Sequence, residues 1–136
     1  KLRHLEGWNE ARRERAAGYD LLLADVEGVD PLALADGAVS SRHQYVVTVP
    51  ERDAALDALA ERGIGAGVHY PVPLHRQPAL EERMGDVSLP NSEWLADHVL
   101  SLPIFPELTP EQQEQVVAAL AEHLEQAGAS SAALGA

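Results

Sequence analysis

A chain of 136 residues, 46% apolar and 24% charged, is long enough for one domain with a hydrophobic core and has an ordinary globular balance. Its net charge of −12 argues against a nucleic-acid or anionic-membrane surface, both of which need clustered Lys and Arg, and fits a solvated, self-repelling exterior. The lack of cysteine excludes disulfides and thiolate metal sites; with no long apolar run and no signal peptide, a cytoplasmic enzyme or binding domain is the default.

The opening residues predict a helix over 1–26, with Leu2, Leu5, Trp8, Ala16, Tyr19, Leu23 and Val26 at helical spacing. No capping residue precedes it and the first residue is not Met, which suggests a segment of something longer. Gly7 and Gly18 each cost the helix ~1 kcal/mol relative to Ala, and Gly28, Asp30 and Pro31 end it. "PLALADGAVSS" reads as a loop with turn chemistry at Asp36–Gly37. "HQYVVTV", His43 to Val49, is rich in β-branched and aromatic residues and predicts a strand. A helix follows from Pro50, with Leu56, Leu59 and Ala60 inward and Gly63 just past its end.

"IGAGVHY" is expected to be a second, Gly-rich strand, and "PVPLHRQP" a loop, since each proline lacks a donor and restrains its predecessor. "ALEERMG" predicts a short helix, and Asn91 or Ser92 is placed to cap another through "EWLADHVL". "LSLPIF" is a third strand, broken by Pro103. "TPEQ" carries a full set of helix-start signals: Thr109 as N-cap, Pro110 first in the helix and Gln112 completing a capping box. The last helix is expected to reach about Gln126, with Val116, Val117, Leu120 and Leu124 inward and residues 128–136 a frayed tail. The pattern is an α/β sandwich, a small sheet covered by helices.

Few stretches carry chemistry. "GIGAG", Gly63 to Gly67, follows a helix and enters a strand, the reverse of a dinucleotide fingerprint, so a helix cap and a close backbone approach explain it better. His69 and His75 have no carboxylate at ligand spacing, which argues against zinc. His4, His98 and His123 read as surface or boundary residues on helices. No serine sits in a nucleophile elbow. "RRER", Arg12 to Arg15, reads as a solvated helix face with Glu10 and Glu14 as partners, or as a contact for a partner chain. "HYPVPLHRQP" is either a rigid connector or a strand end that delivers His69 and Tyr70 to one edge of the domain, braced by prolines. A histidine and a tyrosine together supply donors and acceptors for sugar hydroxyls or a phosphate.

"ERGIGAGVHYPVPLHRQPAL" resembles the C-terminal domain of the DegT-type, pyridoxal phosphate (PLP)-dependent sugar aminotransferases, of aspartate-aminotransferase fold type I. The likeness runs through "KLRHLEGWNEARRERAAGY", "HQYVVTVPERDAALDALAERGIG" and "VLSLPIFPELTPEQQEQVVAAL". It implies a small C-terminal domain over 1–127, with a short, mainly antiparallel sheet of about three strands covered by helices. It implies an activity too: transfer of an amino group from an amino acid, glutamate in most relatives, to a nucleotide-linked keto-sugar, in deoxysugar biosynthesis among other settings. PLP and the Schiff-base lysine belong to a large domain absent from this chain, at the interface of a homodimer. Lys1 is the only lysine and does not match the catalytic one, so the chain alone is expected to be inactive, with no catalytic, cofactor or metal residue of its own. His69 and Tyr70 match residues that line the sugar pocket; His75 matches the second histidine of that loop and is expected with them as a substrate-binding residue. His43, Gln44 and Tyr45 match a stretch expected to be structural, and Arg42 stands where relatives often have an aromatic residue. Two alternatives stay open: a sugar dehydratase of the same fold, with histidine replacing the Schiff-base lysine, and a free-standing, non-catalytic binding domain.

Overall fold

The computed structural model describes residues 1–134, with side chains as far as Gly128. A 3-10 turn, Leu2–His4, leads into α1, Leu5–Leu23. The helix stops three residues short of the expected Val26. Its last turn holds no basic residue, and Asp25 and Glu27 lie just beyond it, an unfavourable sign for the negative end of the helix dipole. Strand β1 is the two-residue Asp30–Pro31, β2 is Tyr45–Thr48, α2 is Arg52–Glu61, α3 is Glu81–Met84, α4 is Pro90–His98, β3 is Val99–Leu102, and α5 is Pro110–Leu134.

The sheet is antiparallel in the order β1-β2-β3. Three strands were expected, but the edge strand is Asp30–Pro31 rather than "IGAGVHY". Pro31 is tolerated there because an edge strand leaves one side unpaired. The glycine-rich segment contributes one bridge, Gly67 to Ser101, through bonds of 3.0 and 2.7 Å. Glycines give a strand no side chain to pack and raise its ordering cost, so pairing goes no further.

Register divides the sheet into two faces. Tyr45 lies opposite Leu102 and Val47 opposite Leu100, and all four are core residues. Val46 lies opposite Ser101 and Thr48 opposite Val99, and these four face the other way, as a period of two requires. The core face packs on α1, α2 and α5 through Tyr19, Leu59 and Leu120, all fully buried. Tyr19 stacks on Tyr45 with centroids 4.9 Å apart; Tyr19 donates to Pro103 O at 3.0 Å and Tyr45 to Asp20 Oδ1 at 2.6 Å. Gln113, also buried, donates to Arg15 O at 2.7 Å, and a Cβ on Gly18 would stand 3.0 Å from its Oε1. Gly18 therefore costs α1 propensity but lets α5 come close.

Helix boundaries follow local chemistry with three corrections. Gly63, at φ +71°, ends α2 in a Schellman motif: Gly63 N–H donates to Ala60 O and Ile64 N–H to Leu59 O. In α2 the inward residues are Ala55 and Leu59, with Leu56 half-buried, whereas Ala60 is exposed. Helix α4 starts at Pro90, so neither Asn91 nor Ser92 is its cap; Glu93 reaches back to accept from Leu89 N–H at 3.1 Å. It also ends early, at His98, because Val99 and Leu100 are drawn into β3. The capping box of α5 forms as expected, with Thr109 N–H donating to Gln112 Oε1 and Gln112 N–H to Thr109 Oγ1. Helix α5 passes the expected stop at Gln126, since the alanines beyond it favour helix. The frayed tail expected over 128–136 falls almost wholly on residues whose side chains lie outside those described.

Candidate functional site

The second face of the sheet is covered by the segment from Gly67 to Leu80 and by α4, with a cleft of about 550 Å³ between them. Val46 and Val99 form its floor, Ser92, Leu95 and Ala96 its helix wall, and Val72, Pro73, Leu74 and Gln77 its loop wall. His69 and Tyr70 stand on the same rim. That volume and an apolar lining with a few polar groups are typical of a small-molecule site.

His69 leaves the sheet just after the Gly67 bridge, and its Nδ1 lies 3.0 Å from the hydroxyl of buried Ser101. A Cβ on Gly67 would come within 3.1 Å of the His69 ring, so the glycine makes room for the imidazole. With Nδ1 engaged, Nε2 is the ring atom left without a protein partner among the described residues. Tyr70 meets His69 edge-on, centroids 5.8 Å apart, and is 74% exposed. The peptide joining them is cis.

The proline-rich stretch is more ordered than a bare loop. It holds two 3-10 turns, Leu74–Arg76 and Pro78–Leu80. Pro73 caps the first and Pro78 opens the second, positions where a missing N–H costs nothing. Gln77 closes the stretch on itself by donating to Val72 O at 3.2 Å.

His75 stands behind the cleft rather than on it. Only 4% exposed, it approaches Glu93 Oε1 to 2.8 Å through Nε2. Arg76 Nη2 reaches the same oxygen at 3.1 Å. The hydrogen bond from His75, then that from Leu89 N–H, holds the Glu93 carboxyl down to a pKa of about 2. Since the carboxylate only accepts, His75 Nε2 carries the proton in this pair. Nothing in the sequence marks Glu93 as part of a site, because the two side chains that pair with it, His75 and Arg76, lie 18 and 17 residues away. Ser101 carries only a weak signal, a lone hydroxyl inside the apolar strand "VLSL".

His43 is exposed and Tyr45 belongs to the core. Arg42, at φ +48°, places its guanidinium 5.8 Å from the Tyr45 ring centroid. Lys1, the sole lysine, is exposed and takes no part in the cleft. The residues of this chain therefore do not fit a PLP site, which needs a lysine amine facing a pocket. Among the described residues no group of three or more His, Asp and Glu is placed to hold a metal, and no helix is long and apolar enough to cross a membrane.

Sheet, backing helices and cleft define an α/β module that presents a cleft of small-molecule size on the face opposite its core. The chain belongs to the DegT/DnrJ/EryC1/StrS aminotransferase family, whose model matches residues 1–121. It is 43% identical over 127 residues to a "Pleiotropic regulatory protein" of Geobacillus stearothermophilus, covering 90% of this chain and 34% of that protein. Among solved structures it is similar to DesV of S. venezuelae in complex with a ketimine intermediate, at 38% identity and a TM-score of 0.83, over 89% of this chain and 33% of that one. It is also similar to the aminotransferase TlmJ of Streptoalloteichus hindustanus, at 32% identity and a TM-score of 0.82, over 92% and 34%. The chain spans about a third of the length of these relatives. The expected fold, the small domain of this aminotransferase class, is the one observed.

Proposed function

We propose that this segment is the small-domain wall of the sugar site in a PLP-dependent aminotransferase, which moves an amino group from glutamate to a nucleotide-linked keto-sugar. One observation carries the reading: in a chain of this family, His69 and Tyr70 stand together on the rim of a cleft that the core leaves open. His69 Nε2 is available to a sugar hydroxyl, and Tyr70 offers a phenol and an aromatic face. The apolar floor of Val46 and Val99 keeps water from the buried side of the ligand. PLP, when bound, supplies the amino-group carrier; its lysine and phosphate contacts come from outside these 136 residues, and the working unit is a homodimer. His75 serves the same site from behind, by fixing the loop on which His69 and Tyr70 sit.

The test is an assay of the protein carrying this segment together with a PLP-binding domain, with glutamate and a panel of nucleotide-linked keto-sugars. An aminated sugar is the expected product. His69→Ala and Tyr70→Ala should each raise the sugar KM roughly tenfold, the loss of about one or two good contacts, while the glutamate half-reaction stays unchanged. A dehydrated sugar in place of the amine would assign the module to the dehydratase chemistry, and no sugar product at all would overturn the reading.

A further inference from the structure

The loop wall and the helix wall of the cleft come from segments that do not pair in the sheet, so something else must set the distance between them. Among the described residues, every hydrogen bond joining the stretch 71–80 to α4 ends on one atom, Glu93 Oε1, which accepts from His75 Nε2 at 2.8 Å and Arg76 Nη2 at 3.1 Å. The same oxygen accepts from Leu89 N–H at 3.1 Å, and Oε2 lies 3.5 Å from Ser88 Oγ. The turn at 75–76 and the residues that lead into α4 thus converge on one carboxylate. Its sequence neighbours Ser92 and Leu95 line the cleft from one side, while Leu74 and Gln77, which flank His75 and Arg76, line it from the other. The pair sits immediately behind both walls, and the His75 end of the bond is buried while the Glu93 carboxylate stays partly exposed.

We infer that Glu93 is a positioning residue, a clamp that fixes the width of the sugar cleft by holding the His75–Arg76 turn against the first turn of α4. This rests on the sugar-site reading above and adds a residue that does not itself line the cleft. A buried imidazole bound to an anion on a partly exposed helix turn is a specific arrangement: the helix needs Glu93 for its own start, and the loop needs it for its place. Releasing the carboxylate would let the loop wall drift while the core face of the sheet keeps its packing.

Two measurements on Glu93→Gln and Glu93→Ala test this. In amide hydrogen exchange on the protein carrying the PLP-binding domain, the Arg76, Gln77 and Leu89 amides should lose protection by about tenfold or more in Glu93→Ala and less in Glu93→Gln, which keeps an acceptor, while the β2 and β3 amides stay protected. In the protein carrying the PLP-binding domain, the sugar KM should rise roughly tenfold in Glu93→Ala, with the glutamate half-reaction unchanged and Glu93→Gln intermediate. Protection and sugar KM both within twofold of the wild type would overturn the clamp, as would loss of protection across the whole sheet, which marks a general folding role. A wild-type protein that aminates no sugar would remove the sugar reading, and the exchange result would still decide whether Glu93 holds the two walls.

Discussion

At Glu93 an imidazole, a backbone amide and a guanidinium stabilise the ionised carboxylate, which lowers its pKa from the ordinary 4.5 to about 2. A depressed carboxyl contributes stability that is fully present above the unfolded-state value and is lost as pH falls through the folded one. Between about pH 4.5 and about pH 2, the wild type is therefore expected to lose stability faster than Glu93→Gln, which has no proton to take up there; urea melts followed at several pH values would show it. At the core, Tyr45 is held by two separable interactions, the stack on Tyr19 and the bond to Asp20. Burial raises its phenol pKa well above the usual range, and the Asp20 carboxylate raises it further. Tyr45→Phe removes the bond and keeps the ring, so about 1 kcal/mol is expected to be lost. Tyr45→Ala opens a cavity in the middle of the core and should cost about 3–5 kcal/mol; denaturant melts of the two variants measure the difference.

Element by element, what could be read from the sequence was what is decided locally. The start of α5 needs only Thr109, Pro110 and Gln112, and the capping box formed there. Thr109→Ala should cost ~1 kcal/mol, read from the thermal midpoint. Gly63 stops α2 for an equally local reason. Strand β1 could not be read in this way. Two residues, one of them proline, carry no strand signal, and their pairing with Thr48 and Val47 is decided by where the chain returns. Arg52 is a second non-local case. It is buried at the start of α2, where it donates Nη1 to Ala96 O and Val99 O at 3.1 and 3.2 Å and so closes the far end of α4. From sequence it is an ordinary first-turn arginine. Arg52→Ala leaves the two carbonyls without this donor, and a loss of about 2 kcal/mol in a denaturant melt is expected.

Over the whole molecule, the surplus of acidic residues predicts that added salt stabilises. Raising NaCl from about 0.05 M to about 0.5 M should lift the melting temperature by screening self-repulsion, although ion pairs such as Arg62–Glu122 at 2.6 Å weaken. At the first half of α1 the helical spacing forms the helix without burying its apolar stripe. Leu5 and Trp8 are 45% and 37% exposed, and Leu2, in the turn before the helix, is 84% exposed, so apolar spacing there marks a stripe and not a share of this core. Of the candidate site, the pair His69 and Tyr70 was legible because prolines and glycines bracket it. The floor was not, because Val46 and Val99 look like every other valine until the register assigns their face. That register has an evolutionary consequence. Along β2 and β3, adjacent positions carry different physical constraints: Tyr45, Val47, Leu100 and Leu102 pack the core, half-buried Val46 faces the cleft, and buried Val99 serves both. Val46 can therefore vary with what the cleft holds while the core face of the sheet keeps its packing, whereas a change at Val99 is felt by both.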